Sequence, residues 1–503
     1  MFLPTQETLS ENDIELSLKN VTKDGYISQI MVNLTTGPIL ISFALRFGAN
    51  FFIIGLMSAI PTICNFFQIP TIFLIEKLRN RRAISVFSLT LYRICLLIIG
   101  LVPFLFKSEP GLIFLIIFLS LQSIFASIGH TAWNFWMHDL IPQKILGKFF
   151  SRRLLISTFM GLITNLLAGI FIDFWKTNFV NAEDFGYSIL YFLGFIFGLI
   201  SVYYISKISE PMMIKLDVKP KFFQTISEPY KDKNFKKLLI FLLFWYFTIG
   251  LTVPFFTVYM LEKLHLSLTI VVVFTLISQL VNLMFLKLWG SLSDKFSNKS
   301  VLSISCPMFL MCILAWIFTS VSALYLLTIP LLVVIHILMG ISLAGTSLSL
   351  SNIGLKLAPK GKANWFLAIA SLFTSISLGV APIIGGFLVH VFELSKFSWT
   401  LTWNFPNEST TIQILSLQGV DFFFIIAIFI GLFALFRLKL IKEEGDVKNQ
   451  IIRNEFMSGI RKSLRSLFRI GRSKVPFVTA ILIYPWPSRK SLKKNKKIGK
   501  TLN

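Results

Sequence analysis

After a polar opening, the chain alternates long apolar runs with short polar breaks almost to its end. The runs are continuous rather than alternating, a pattern of buried or lipid-facing helix and not of half-buried strand. A helix needs about 20 apolar residues to cross the ~30 Å hydrocarbon layer. Runs of that order fall near 28–47, 52–75, 83–106, 111–133, 153–173 and 187–206. After a polar stretch they resume near 238–260, 266–290, 300–320, 323–350, 363–390 and 421–441. In lipid only helices and closed barrels satisfy their own backbone. The pattern therefore predicts an all-α membrane protein of twelve transmembrane helices, as bundles over 28–206 and 238–441. A polar N-terminus (1–27), a basic linker (207–237) and a tail (442–503) complete the expected organisation.

Composition supports that reading. Charged residues make up 14% of the chain, against about 25% in ordinary soluble domains. Met1 to Asp24 is polar and slightly acidic, so no cleavable secretory signal is expected. Cys64, Cys95, Cys306 and Cys312 all lie in apolar runs, where small buried residues are expected rather than disulfides or metal ligands.

Charge orients the spans. Alternate loops on one side carry Lys77, Arg79, Arg81, Arg82, Lys144, Lys148, Arg152 and Arg153, then eight lysines over 207–237, then Lys295, Lys299, Lys356, Lys360 and Lys362. The other side carries Arg46, Lys107, Lys176, Lys263 and Lys396. Twenty-one basic residues against five place both termini and the linker in the cytoplasm by the positive-inside rule. A multi-pass cell membrane protein is expected, with a bacterial inner membrane favoured. The largest outer loop is expected over Val391 to Val420; Trp399 and Trp403 suit the headgroup level, and Asn407-Glu408-Ser409 fits a glycosylation sequon.

From Lys442 onward sixteen basic and four acidic residues give a net +12, half of the chain's +24. Ile452, Phe456, Ile460, Leu464 and Leu467 recur at helical spacing with Arg453, Arg461, Lys462, Arg465 and Arg469 between them. Such a basic amphipathic helix fits an anionic lipid surface. A nucleic-acid partner is set aside, because the rest of the charge follows membrane topology.

The two bundles are related in sequence. Leu34-Thr35-Thr36-Gly37-Pro38 aligns with Gly250-Leu251-Thr252-Val253-Pro254 at an offset of 216, and Asn65 with Asn282 at 217. Glu76-Lys77 aligns with Asp294-Lys295 at 218, Pro142 with Pro359 and Ala168-Gly169 with Gly385-Gly386 at 217. Equivalent loops face the same side, so the halves are parallel repeats about an axis along the membrane normal. The loop Gly290-Ser291-Leu292-Ser293-Asp294-Lys295-Phe296-Ser297-Asn298-Lys299 and the stretch Gly379 to Gly386 resemble motifs of the major facilitator superfamily over about residues 28–441. Ser297 replaces the second loop glycine, and the first-half copy departs further, with Glu76 for Asp. The segment His130 to Leu140, continuing to Pro142, resembles one of a bacterial branch.

The resemblance implies a transporter moving a small solute by alternating access, as a monomer and without a cofactor. A carboxylate at a helix end that pairs in one conformer and parts in the other can gate such a cycle. Glu76 and Asp294 are the expected carboxylates, with Arg81, Arg82 and Lys299 as partners. In this superfamily helices 1, 4, 7 and 10 line the cavity. Mapped here, they offer Asn33, Thr35 and Thr36; Gln122, Ser123 and His130; Trp245, Tyr246, Thr252 and Tyr259; His336, Ser342 and Thr346. Gly385 and Gly386 are expected to pack helices closely. Arg93 lies at mid-depth, where a charge costs at least about 2.5 kcal/mol. A structural hydrogen-bond hub is its expected role, and an anionic substrate group the alternative. No carboxylate is expected inside helices 1, 4, 7 or 10. An imidazole titrates near neutral pH, so His130 is the candidate for proton coupling. The chain lacks a His-Glu-x-x-His pair and the full Gly-x-x-x-x-Gly-Lys-Ser/Thr pattern of a phosphate-cradling loop, Lys494 standing where Gly499-Lys500-Thr501 would need its first glycine, so neither suggests an enzyme. A non-transporting sensor or lipid-handling scaffold on the same fold is the alternative function.

Overall fold

The computed structural model describes residues 9–107, 109–213, 228–320, 327–359, 363–392, 394–404, 409–447 and 449–470. Twelve of its helical segments are long and apolar enough to cross a membrane, so the chain is a multi-pass membrane protein. The first span is split into α1 (Glu11–Thr35) and α2 (Pro38–Arg46). The second comprises α3 (Phe51–Cys64), a 3-10 turn over Asn65–Phe67 and α4 (Gln68–Leu78). Then follow α5 (Arg81–Leu105), α6 (Glu109–Leu140), α7 (Gln143–Asn178) and α8 (Glu183–Ser206). The second bundle holds α9 (Lys233–Val258), extended by a π-helical turn over Tyr259–Lys263, α10 (Leu268–Lys295) and α11 (Asn298–Ile317). It is completed by α12 (Thr328–Leu357), α13 (Ala363–Phe392) and α14 (Val420–Lys439).

The first helix begins well before the apolar run that announced it. Ser10 caps it: its hydroxyl accepts from the Asp13 N–H at 3.1 Å, and the Asp13 carboxylate accepts from the Ser10 N–H at 3.1 Å. Asp24 therefore sits inside the first span, where no carboxylate was expected. The helix breaks at Thr36-Gly37. Gly37 has φ 63°, a conformation L side chains rarely adopt, and Pro38 restarts the helix from its first turn.

Between α13 and α14, β1 (Lys396–Asn404) and β2 (Ser409–Gln418) form an antiparallel hairpin where a loop was expected. Phe397 faces Leu417 and Trp399 faces Leu415. The alternation Phe397, Trp399, Leu401, Trp403 carries the strand signal; Phe397, Trp399 and Trp403 are exposed. Asn407-Glu408 of the sequon lies outside the described residues, as do linker residues 214–227 and residues 360–362. The last described helix, α15 (Asn449–Ile470), belongs to a separate compact unit from Val447. It spans the expected amphipathic stretch; its side chains at 460 and 462–470, and all of 471–503, lie outside the described residues.

The repeat extends to the helix caps. The Asn80 side chain accepts from the Ala83 N–H at 2.8 Å, and the Ser297 hydroxyl from the Ser300 N–H at 3.0 Å. Each cap is backed by a buried glutamate from beyond the sixth helix of its half. Glu210 accepts from the Arg81 and Arg82 backbone N–H groups at 2.8 and 3.0 Å. Glu443 accepts from those of Asn298 and Lys299 at 3.1 and 2.7 Å. A carboxylate there satisfies orphan donors and complements the helix dipole. Side chains close each knot: Arg81 reaches Glu210 at 3.1 Å and pairs with Asp139, while Lys356 reaches Glu443 at 3.3 Å.

Among the described residues the halves approach most closely at one face. A Cβ on Gly55 of α3 would lie 2.1 Å from the Pro382 carbonyl oxygen of α13, and one on Gly386 would lie 2.6 Å from that of Phe51. At the same face the Asp173 carboxylate of α7 accepts from the Leu268 and Thr269 N–H groups at 3.1 and 2.7 Å, capping α10 across the halves. Toward the basic face a cavity of about 280 Å³, lined by Gln68, Ile72, Ile369 and Ser375, separates α4 from α13.

Two outcomes follow. Glu443→Gln leaves the buried α11 donors poorly matched and lowers stability by about 1–3 kcal/mol, read as a lower Tm; Glu210→Gln does the same at α5. Gly55→Val inserts normally but holds the halves apart. Spin labels at Asn178 and Glu262 then report a distance longer by several ångströms than in the parent protein.

Candidate functional site

Two cavities share three residues in the first bundle. One, of about 480 Å³, lies between the halves. Its walls are Thr36 and Gly37 at the break of the first span, Asn65 and Gln68 at the break of the second, and Gln122, Ser123, Ser127, His130 and Asn134 along α6. Val253 and Pro254 close it from α9, so the Pro-marked segments aligned by the repeat flank the same space. Irregular backbone at membrane depth is tolerated where it lines a cavity, and broken helices mark binding sites in transporters. The Gln122 Oε1 and Ser127 Oγ are buried without a hydrogen-bond partner among the described residues.

The second cavity, of about 730 Å³, continues from Tyr92, His130 and Asn134 toward the basic face. Asp24, Gln29, Arg93, Trp133 and Arg153 line it. The Arg153 guanidinium lies 3.2 Å from the Asp24 carboxylate, donates to the Val21 carbonyl at 3.1 Å and stacks over the Trp133 ring. Ser201 donates to Asp24 at 2.7 Å and accepts from Arg93 at 3.3 Å. Arg93 also donates to the Leu89 carbonyl at 3.1 Å and packs where α8 carries Gly198.

Thr36, Gln122 and His130 thus share the first cavity, and His130 and Arg93 the second. Asn33 is apart from both, donating to the Gln29 carbonyl at 2.9 Å. The candidates of the second half lie elsewhere. Trp245 is fully buried against Phe309, and Tyr246 packs on the same core. The Tyr259 hydroxyl accepts from Thr319 at 3.2 Å. His336 bonds the Leu332 carbonyl and stacks on Phe274, and Thr346 donates to the Ser342 carbonyl. Gly385 and Gly386 face Phe255 and Phe51, too close for a side chain.

Glu76 and Asp294 are exposed, with no ion pair among the described residues. Their expected partners are engaged elsewhere: Arg81 with Glu210 and Asp139, the Arg82 side chain with the Ser206 carbonyl, and Lys299 with Asp446 at 2.6 Å. Asp24, Asp173, Glu210 and Glu443 were not singled out from sequence. The signal available for Asp24 was the Ser10–Asp13 capping box, which carries the first helix back past it.

No curated protein sequence matches the chain. Solved transporters match it in fold. The nucleoside transporter NupG is 12% identical with a TM-score of 0.61, over 85% of this chain and 98% of that one. The inward-open xylose transporter XylE from E. coli is 13% identical with a TM-score of 0.58, over 86% and 96%. A bacterial homolog of the human lysosomal transporter Spinster, inward-facing and unoccupied, is 13% identical with a TM-score of 0.57, over 90% and 99%. The profile of the Major Facilitator Superfamily matches residues 25–382, more than half of the chain, and with two six-helix repeats around these cavities the protein belongs to that superfamily.

Proposed function

We propose that the protein moves a small solute across a cell membrane by alternating access, and that this conformer is open to the cytoplasm. The observation that carries the reading is a cavity that gathers Thr36, Gln122 and His130 at two broken helices, between halves whose closest approach lies at one face. The basic face is the cytoplasmic one, by the charge bias of its loops. Both termini then lie in the cytoplasm, a bacterial inner membrane suits the chain, and the monomer is the transporting unit. The basic helix Asn449–Ile470 rests on anionic lipid headgroups.

Rocking of the halves exchanges the seal from one face to the other. On the outer face Asp173 and the Gly55 and Gly386 contacts form it. On the cytoplasmic face Glu76 and Asp294, without an ion pair among the described residues, find partners when that face closes. Asp24, a carboxylate within the first span, joins His130 as a candidate carrier of a coupling proton.

Three outcomes test this. Purified protein in proteoliposomes shows saturable, solute-dependent flux; absence of flux across a broad solute panel sinks the transport reading. Asp173→Asn removes one of the two acceptors that cap α10, at a cost of about 0.5–1.5 kcal/mol. A cysteine at Ile41 is then labelled from the outer face by an impermeant maleimide roughly threefold faster or more. Asp294→Asn inserts normally and slows flux several-fold, and an unchanged rate removes Asp294 from the gate.

A further inference from the structure

The charges around the second cavity do not balance. Arg93 and Arg153 both line it, and a guanidinium stays protonated in a protein. Among the described residues Asp24 is the one carboxylate paired with either, through Arg153 directly and Arg93 by way of Ser201. Asp24 offsets at most one positive charge, so the cluster keeps at least one in excess. Tyr92, stacked under Arg93, and His130 supply no negative charge as neutral rings.

The excess sits on Arg93. Its side chain is 2% exposed, yet it lines the cavity, and its Nε, buried beside Gly198 of α8, has no hydrogen-bond partner among the described residues. The neutral Leu89 carbonyl and Ser201 hydroxyl hold its other nitrogens. A buried cation with an open donor is costly unless an anion meets it. Gln29, Ser28 and Asn134 add neutral polar groups around the same space. Planar guanidinium donors suit carboxylate and phosphate oxygens.

We infer that the second cavity is an anion subsite and that the transported solute carries a carboxylate or phosphate group, held by Arg93 with Arg153 shared between the solute and Asp24. The inference rests on the transport reading for its direction of use, and on the cavity alone for binding. It also assigns Asp24 a role: while the subsite is empty, its carboxylate occupies Arg153 in the solute's place. Entry of the anion then competes with Asp24 for that guanidinium.

The test is thermal stability of the purified full chain with inorganic phosphate, with succinate and with the neutral solutes uridine and xylose, at constant ionic strength. At concentrations well above its Kd, one of the two anions raises Tm by about 2 °C or more, while the neutral solutes do not. Which anion acts separates phosphate from carboxylate recognition. Arg93→Gln loses that rise. Asp24→Asn, with its competing carboxylate gone, gives the rise at a roughly tenfold lower anion concentration. If Arg93 were only a packing hub, Arg93→Gln would lower Tm while leaving the anion response intact, and that overturns the inference. So does a wild-type protein that responds to neither anion. Flux of a neutral solute by such a protein would leave the transport reading standing; an anion response without flux of any solute would do the reverse.

Discussion

The structure depends on how closely two backbones approach at one face. α3 and α13 touch where Gly55 meets the Pro382 carbonyl and Gly386 meets that of Phe51. In lipid, apolar side chains gain nothing by leaving hydrocarbon for one another, so helix association relies on close packing. Small residues at these points let the two halves seat tightly without a large apolar interface. These glycines lie in the half of the spans away from the basic face. Toward the basic face the helices carry bulkier residues such as Ile72 and Ile369, and a cavity lies between them. Close approach at one face and a cavity at the other thus both follow from where the glycines fall.

Within each half a different device gives rigidity. Glu210 and Glu443 each satisfy two N-terminal backbone donors of the third helix in their repeat. The positions around them have changed charge: Asp139 in the first half corresponds to Lys356 in the second at the repeat offset of 217. Asp139 pairs with Arg81, and Lys356 with Glu443. The geometry outlasts the identity of the residues because the invariant partner is backbone. A rocking mechanism needs bundles that move as units, and these knots tie the sixth helix to the third without crossing between halves.

Number, order and repeat of the spans were legible because twenty-residue hydropathy and loop charge are local properties of the chain. The cavity was legible only in part. Thr36, Gln122 and His130 lie on it, whereas Trp245, Tyr246, Tyr259, His336 and Thr346 lie in the packing of the second half. Choosing residues by helix number fixes the helix but not its rotation, and apolar helices without a clear polar face carry little rotational signal. Glu76 and Asp294 drew attention through a loop motif, while the carboxylates with buried work, Asp24, Asp173, Glu210 and Glu443, act on partners far along the chain. Arg153 stands 129 residues from Asp24, a pairing no local pattern encodes. The hairpin was missed for another reason: its alternation was present, but a span-by-span reading treats whatever lies between helices as loop.

Asp24 shows how one misplaced boundary propagates. With the first span begun at residue 28, Arg93 is a lone intramembrane charge and a structural hub suffices to explain it. With the helix begun at Glu11, a carboxylate enters the bundle, and its partner Arg153 comes with it. The result is not neutrality but an odd cluster of two guanidiniums and one carboxylate around a cavity. A purely structural cluster gains nothing from an unmatched charge in a region of low dielectric. A cavity that must both accept and release its occupant does gain: the internal carboxylate holds Arg153 when the cavity is empty, so release does not strand both cations. The odd count is therefore better understood as a property of the cycle than of the fold.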